Sequence, residues 1–305
     1  MKKKAQNYYN IPAVKTTFSL KKAIKAFTPN NVAPKGIKRK EISDRAVILA
    51  AIYGDIIGQP YEGITSLTYI STKIDKEDLI RSNNRYTDDT VMTIATAEAI
   101  KKKCPFWKSY KWWGNAYPDK GYGSNFYDWL ISDDVKKPFG SYGNGSAMRV
   151  SPCALVSNNV KKVIKCAYKS AIATHNHYEG IKGAVVTAVC MWLALYYSAE
   201  DIDKYMREQY GPEYKNDFAL DYKDMTSYSV ICQYSVPLAV KLVLSSNSYN
   251  DFCYNACIIG GDTDTVCAIG GPIAAILYGF PYDTDTINVV KLLDARIEKV
   301  LREWD

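Results

Sequence analysis

Gly260-Gly261-Asp262-Thr263-Asp264-Thr265 runs directly into Val266 and an apolar stretch that ends near Leu277. The apolar residues recur with helical spacing, so the acidic hexapeptide reads as a helix start. Far upstream, Thr87-Asp88-Asp89-Thr90 stands in the same relation to Val91, Ile94, Ala95 and Ala99. Either segment alone is a capped helix, because Asp and Thr are ordinary N-cap residues. One cap needs a single side-chain oxygen, however, and a second adjacent carboxylate only adds repulsion unless a positive charge neutralises it. Taken together the two starts supply four carboxylates and several hydroxyls, the oxygen-only ligand set of a hard divalent cation.

Outward from these two starts the pattern stays helical. Spacing predicts helices over residues 46–57, 90–103, 160–173, 178–197, 228–245, 249–259, 266–277 and 287–304, with no convincing strand. The expected fold class is therefore all-α. Residues 104–146 read as a long irregular wall rich in Trp, Tyr and Gly. With 305 residues, 47% of them hydrophobic, the chain can bury a large core. Its longest apolar stretches, 184–197 and 266–278, read as too short or too Gly-interrupted to span a bilayer, and no secretory leader is recognisable. Eight cysteines without a CxxC pair suggest buried thiols in a reducing compartment, and a cytoplasmic location is expected.

Charge divides the chain in two. Residues 1–40 carry eleven Lys or Arg and no acid, which leaves 28 of the 39 basic residues against all 32 acidic ones. Residues 1–42 thus read as a basic N-terminal arm, flexible or docking, and 43–305 as the folded domain. Within the arm, Leu20, Ile24 and Phe27 share one face of a short amphipathic helix. A protein partner for the arm fits this reading, a targeting role is an alternative, and nucleic acid is not favoured.

Gly140-Ser141-Tyr142-Gly143-Asn144-Gly145-Ser146 offers closely spaced amides suited to an anion but lacks the Lys-Ser/Thr ending of a P-loop. His175 and His177 have no third zinc ligand at a telling spacing, so a polar site role beside the helix start at Tyr178 is the better reading. Arg149 could clamp a phosphate or bridge buried carbonyls, and the structural role is the better reading. Asp283-Thr284-Asp285-Thr286 repeats the acidic string without the glycines and reads as the cap of the last helix.

In order along the chain, Gly54-Asp55-Ile56-Ile57-Gly58 with Glu62, Tyr86 to Met92, Lys120-Gly121-Tyr122-Gly123, Gly143 to Arg149 with Pro152, Thr174-His175, and Gly260 to Thr265 resemble the blocks of the ADP-ribosylglycohydrolases. The resemblance covers roughly residues 43–280 and not the basic arm. One departure is Cys267-Ala268 where many relatives carry Gly-Ala.

The resemblance implies a compact multi-helix orthogonal bundle and a binuclear magnesium or manganese centre held by Glu62, Thr87, Asp88, Asp89, Asp262, Asp264 and Thr265. It implies an ADP-ribose cleft lined by Ser141, Gly143, Asn144, Gly145, Ser146 and His175, and a bracing role for Asp55. The implied reaction is hydrolysis of the bond at C1″ of ADP-ribose, on a modified protein side chain or a small conjugate. Such a step passes through an oxocarbenium-like state and needs an activated water, for which Glu62, Asp88 or Asp89 would be the base. Two other classes remain at this stage. An immunity or binding protein could neutralise an ADP-ribosylating toxin, through the arm or by reversing the modification, and the same carboxylates could serve a metal-dependent phosphoesterase.

Overall fold

The computed structural model describes residues 18–30, 36–64, 74, 79–81, 83–133, 137–211, 230–281, 288 and 291–305. Among these, fourteen α-helices and no strand occur, with one isolated bridge between Gly143 and Ile231. In chain order the helices are α1 (Leu20–Phe27), α2 (Asp44–Gly58), α3 (Asp88–Lys102), α4 (Phe106–Ala116), α5 (Ser124–Ile131), α6 (Gly145–Met148) and α7 (Ser151–Ala154). They continue with α8 (Val160–Ala171), α9 (Tyr178–Tyr196), α10 (Ala199–Tyr210), α11 (Cys232–Leu244), α12 (Tyr249–Ile259), α13 (Thr263–Tyr278) and α14 (Ala295–Arg302). The decoy string 283–286 and most of the basic arm lie outside the described residues.

Three helices that are apolar on every face form the centre. Residues 46–58 of α2, 263–276 of α13 and nearly all of α9 from Gly180 to Leu195 are buried. A helix apolar all round belongs in a core. By length and composition α9 could cross a membrane, contrary to the sequence reading, yet its apolar window is 83% buried by the surrounding helices.

α2 and α13 form the most extensive pair in the molecule. Their contact depends on missing side chains: a Cβ on Gly58 would stand 2.5 Å from the Thr263 carbonyl oxygen and 2.6 Å from the Asp264 Cα, and one on Gly271 would stand 2.6 Å from the Ala50 carbonyl. Gly54 meets the Cys267 carbonyl in the same way. Thr263 Oγ1 then donates to the Gly58 carbonyl at 2.7 Å, fixing the register. The start of α13 is thereby pressed against the end of α2.

The long aromatic stretch is more ordered than the sequence suggests, because it contains α4 and α5. Their inner aromatics pack as a layer in which Trp113 stacks on Tyr117 at 5.4 Å and Phe126 on Tyr122 at 5.4 Å. Within the expected last helix, residue 288 is helical, 291–293 form a turn, and α14 begins at Ala295 after Asp294, whose side chain accepts from the amides of Arg296 and Ile297. All eight cysteines are free, and six are buried.

Candidate metal centre and substrate cleft

Asp55 sits one turn before the end of α2 and is wholly buried. Its Oδ1 accepts from Thr87 Oγ1 at 2.7 Å, and its Oδ2 accepts from the amides of Thr87 (2.9 Å) and Thr90 (3.1 Å) and from Thr90 Oγ1 (2.5 Å). It therefore braces the start of α3, and not the first helix. With its amide held by the Lys120 carbonyl at 2.8 Å, Asp88 lines the cavity together with Asp89, which is the more deeply buried of the two. Asp89 Oδ2 accepts from Thr265 Oγ1 (3.2 Å) and lies 3.1 Å from Thr87 Oγ1, whose one proton is shared with Asp55, whereas its Oδ1 is buried with no hydrogen-bond partner.

The other half of the site comes from the Gly260-Gly261 turn. Both glycines have positive φ, 77° and 80°, as does Gly63 at 75°. The turn and the Glu62 segment clasp each other: the Gly63 amide donates to the Gly261 carbonyl at 2.8 Å, and the Gly261 amide donates to the Ile64 carbonyl at 3.2 Å. Glu62, exposed at the rim, is thus held beside Asp262 and Asp264. Asn144 Nδ2 donates to Asp262 Oδ2 at 2.5 Å and to Ser235 Oγ at 2.9 Å, so the Gly-Asn-Gly loop is anchored to the acidic turn.

Two carboxylate triads result. Asp55, Asp89 and Asp264 can each bring an oxygen within 4.8 Å of the others, and so can Glu62, Asp262 and Asp264. Asp264 belongs to both. Among the described residues Asp55, Asp88, Asp89, Asp264 and Glu62 form no ion pair. Burial pushes every one of these acids upward, Asp88 to about 8, Asp89 and Asp264 well above the carboxylate range, and Asp55, Asp262 and Glu62 in the same direction; repulsion from neighbouring carboxylates adds to it at Glu62, Asp88, Asp89 and Asp264, while hydrogen bonds oppose it at Asp55 and Asp262. The orphaned Asp89 oxygen, the shared Asp264 and, among the described residues, triads made of carboxylates alone all fit hard divalent cations. Because Asp55 already accepts four hydrogen bonds, it is the least available member.

These groups form the floor of a cavity of about 780 Å³, within the range of small-molecule sites. One flank consists of Phe139, Ser141, Tyr142, Gly143, Gly145 and His175; Arg85, Asp119, Lys120, Gly121 and Phe126 form another. Ile231, unmarked in the sequence, reaches the cleft by bridging to Gly143.

Two expectations for the glycine loop need correction. Ser146 does not line the cleft: its hydroxyl is buried and donates to the Gly180 carbonyl at 2.8 Å. Nor are the Gly143 and Asn144 amides open to an anion, since the first is bound to Ser141 Oγ (3.1 Å) and the second to the Val230 carbonyl (3.1 Å). The loop needs these bonds because it has no neighbouring strand of its own. Gly180 backs it closely, and a Cβ there would stand 2.6 Å from the Ser141 carbonyl.

His175 is 4% exposed. Arg149, itself buried beneath the Tyr110 ring, donates from Nη2 to Thr174 Oγ1 at 2.8 Å, and Thr174 Oγ1 lies 2.7 Å from His175 Nδ1. With the hydroxyl oxygen accepting from Arg149, its proton goes to Nδ1, which leaves the proton of the neutral ring on Nε2. Burial and the nearby guanidinium hold the imidazole pKa well below its usual value. Nε2–H therefore points towards Gly143 and Gly145 as a fixed neutral donor. His177 instead caps α9, accepting the Glu179 amide at 3.2 Å.

Residues 40–284 match the family model for ADP-ribosylglycohydrolase. The chain belongs to the ADP-ribosylglycohydrolase family. Members hydrolyse glycosidic linkages to ADP-ribose, and the chain is an enzyme of that class. It is 30% identical over 175 residues to ADP-ribosylhydrolase ARH3 of Xenopus tropicalis, an alignment covering half of each chain. With the ARH3 of Mus musculus it shares 27% over 312 residues, covering 77% of this chain and 83% of the mouse protein. A solved structure titled "ADP-ribosylglycohydrolase-related protein complex" superposes with a TM-score of 0.60 at 18% identity, over 85% of this chain and 96% of that one, and so shares the ADP-ribosylglycohydrolase fold.

Proposed function

We propose that this ADP-ribosylglycohydrolase uses two divalent cations, magnesium or manganese, to release ADP-ribose from a modified protein side chain or a small conjugate. The observation that carries this reading is the pair of carboxylate triads sharing Asp264 at the floor of the cleft. Glu62, Thr87, Asp88, Asp89, Asp262, Asp264 and Thr265 would hold the ions, which supply positive charge against the crowded acids and activation of a water. The remaining chemistry belongs to the chain.

Asp89 is buried and committed to two threonine hydroxyls, so it holds the site together and is poorly placed to exchange a proton with substrate. Glu62 stands on the rim, where partial burial first and then the charge of Asp262 raise its pKa, which suits a general base. We assign it that role. His175 Nε2–H would donate to an oxygen of the ADP-ribose, Asn144 would keep Asp262 aimed at the floor, and Phe139 and Tyr142 would offer aromatic faces to the adenine or the distal ribose.

The binding or immunity alternative explains neither the orphaned Asp89 oxygen nor the lack, among the described residues, of a cationic partner for Asp89 and Asp264, since a pure binder gains nothing from that arrangement. The test is release of free ADP-ribose from ADP-ribosylated arginine and serine peptides. Magnesium should support release, excess chelator should stop it, and Asp264→Ala should abolish it while the melting temperature stays within reach of the parent. Full turnover in chelator, or in Asp264→Ala, overturns the reading.

A further inference from the structure

The family match begins at residue 40, so α1 lies outside it. The helix is nevertheless seated on the domain. Ala23 and Phe27 are buried, the Phe18 ring meets Tyr178 edge-on at 4.9 Å, Tyr168 donates its hydroxyl to the Phe18 carbonyl at 2.8 Å, and Tyr205 donates to the Phe27 carbonyl at 3.1 Å. The apolar face of α1 is thereby used up. It has nothing left to insert into a bilayer, whereas a membrane-surface helix needs that face free.

What α1 turns outward is Lys21, Lys22 and Lys25, all exposed. The helix packed beside it, α8, exposes Lys161, Lys165 and Lys169 at i, i+4 and i+8, with Lys162 next to them. Neither helix contains an acidic residue. Among the described residues no side chain of these lysines forms a hydrogen bond or an ion pair. The i, i+4 spacing sets the α8 charges in a row about 6 Å apart, a line and not a point. In the sequence, residues 1–17 carry Lys2, Lys3, Lys4 and Lys15 and no acid. Uncompensated like charges on adjoining helices repel one another, and a linear polyanion relieves that repulsion while releasing its own counterions. The nearby rings of Phe18, Phe27 and Tyr168 are engaged within the domain, so the face can contact phosphates but has no free aromatic on which to stack a base.

We propose that the face formed by α1 and α8 binds the phosphodiester backbone of a nucleic acid without sequence preference. Through Phe18 and Tyr178 it adjoins α9, the helix that follows His175, so a bound strand would keep the cleft close to nucleic acid. The proposal does not rest on the hydrolytic reading, and its test measures no turnover.

The experiment is fluorescence anisotropy of the full chain with a labelled 30-base-pair DNA duplex and a labelled 30-nucleotide RNA, across 50 to 200 mM NaCl. With six or so phosphates engaged, affinity should fall on the order of 10³-fold over that range. K21E/K22E/K25E and, separately, K161E/K165E/K169E should each weaken binding by about tenfold or more at 100 mM salt and flatten the salt slope, with melting temperatures unchanged because all six positions are exposed. Three results overturn the proposal: no binding at 50 mM salt, equal affinity in both variants and the parent, or tighter lysine-dependent association with phosphatidylserine vesicles than with either nucleic acid.

Discussion

The Thr265 hydroxyl donates to Asp89 Oδ2 at 3.2 Å and so ties the start of α13 to the start of α3, 176 positions away in the chain. Thr87 Oγ1 reaches the same oxygen at 3.1 Å, while Oδ1 is left with no partner. Thr265→Val keeps the volume and removes a hydroxyl donor to Asp89, along with one candidate ligand oxygen. We expect divalent-ion binding to weaken by roughly 10- to 100-fold, read as a shift in the magnesium concentration that supports half-maximal ADP-ribose release. An unshifted magnesium titration would count against Thr265 as part of the centre.

Gly58 sits at the end of α2, where any Cβ would collide with the backbone of Thr263 and Asp264. Backbone cannot swing aside as a side chain can, so Gly58→Ala must spread α2 from α13. A cost of about 1–3 kcal/mol in urea unfolding is expected, together with loss of metal-dependent activity out of proportion to the lost stability. Gly123→Ala is the control, since nothing lies within 4 Å of its Cβ position; it should leave unfolding unchanged.

The crowded carboxylates make the metal-free protein sensitive to pH. Each folded-state pKa is raised, so the folded protein keeps protons that the unfolded chain releases. The associated stability is fully present below the unfolded value of about 3.9 and is lost as pH rises towards about 8, the value for Asp88. Divalent ions replace those protons, and the replacement grows easier as pH rises. Melting curves in chelator and in magnesium, taken between pH 5.5 and 8.5, should separate progressively with pH. A magnesium gain that is constant across this range would show that protons and cations do not compete for these acids.

The central helices were legible because apolar spacing alone specifies them: α2, α3, α8, α9, α12 and α13 lie within a few residues of their predicted limits. α10 was missed because AEDIDKYMREQY is polar, with only Ile202, Tyr205, Met206 and Tyr210 buried, although its capping box of Ser198 and Asp201 was readable. α4 and α5 were hidden by Trp and Tyr, which favour no single backbone state and bury through packing unseen in one dimension. The acidic floor could be named because repulsion between adjacent carboxylates is a local property. The loop was misread for the opposite reason. Whether the amides of Gly143 and Asn144 are open depends on Val230 and on a serine hydroxyl two residues upstream, and no residue type announces such bonds.

The relay from Arg149 through Thr174 to His175 yields the last prediction. Thr174→Val preserves the buried volume but removes the hydroxyl that accepts from Arg149 Nη2 and faces His175 Nδ1. The guanidinium loses a hydrogen-bond acceptor, though it can still reach the Ser170 carbonyl at 3.3 Å, and the imidazole loses the group that fixes its tautomer. Leaving buried partners unsatisfied costs about 1–3 kcal/mol, visible in unfolding. The functional effect should be distinct from this. If Nε2–H donates to the ADP-ribose and takes no part in the proton transfer, substrate affinity should fall by about tenfold for each 1.4 kcal/mol lost, with kcat much less affected. His175→Gln, which can still present an amide donor, should retain more affinity than His175→Ala. The parent histidine is held neutral by burial and by Arg149, so substrate affinity should not change between pH 6 and 8 through this residue. A ring that titrates near its ordinary value in NMR spectra, or a Thr174→Val variant that binds ADP-ribose as tightly as the parent, would show that the relay does not set the donor.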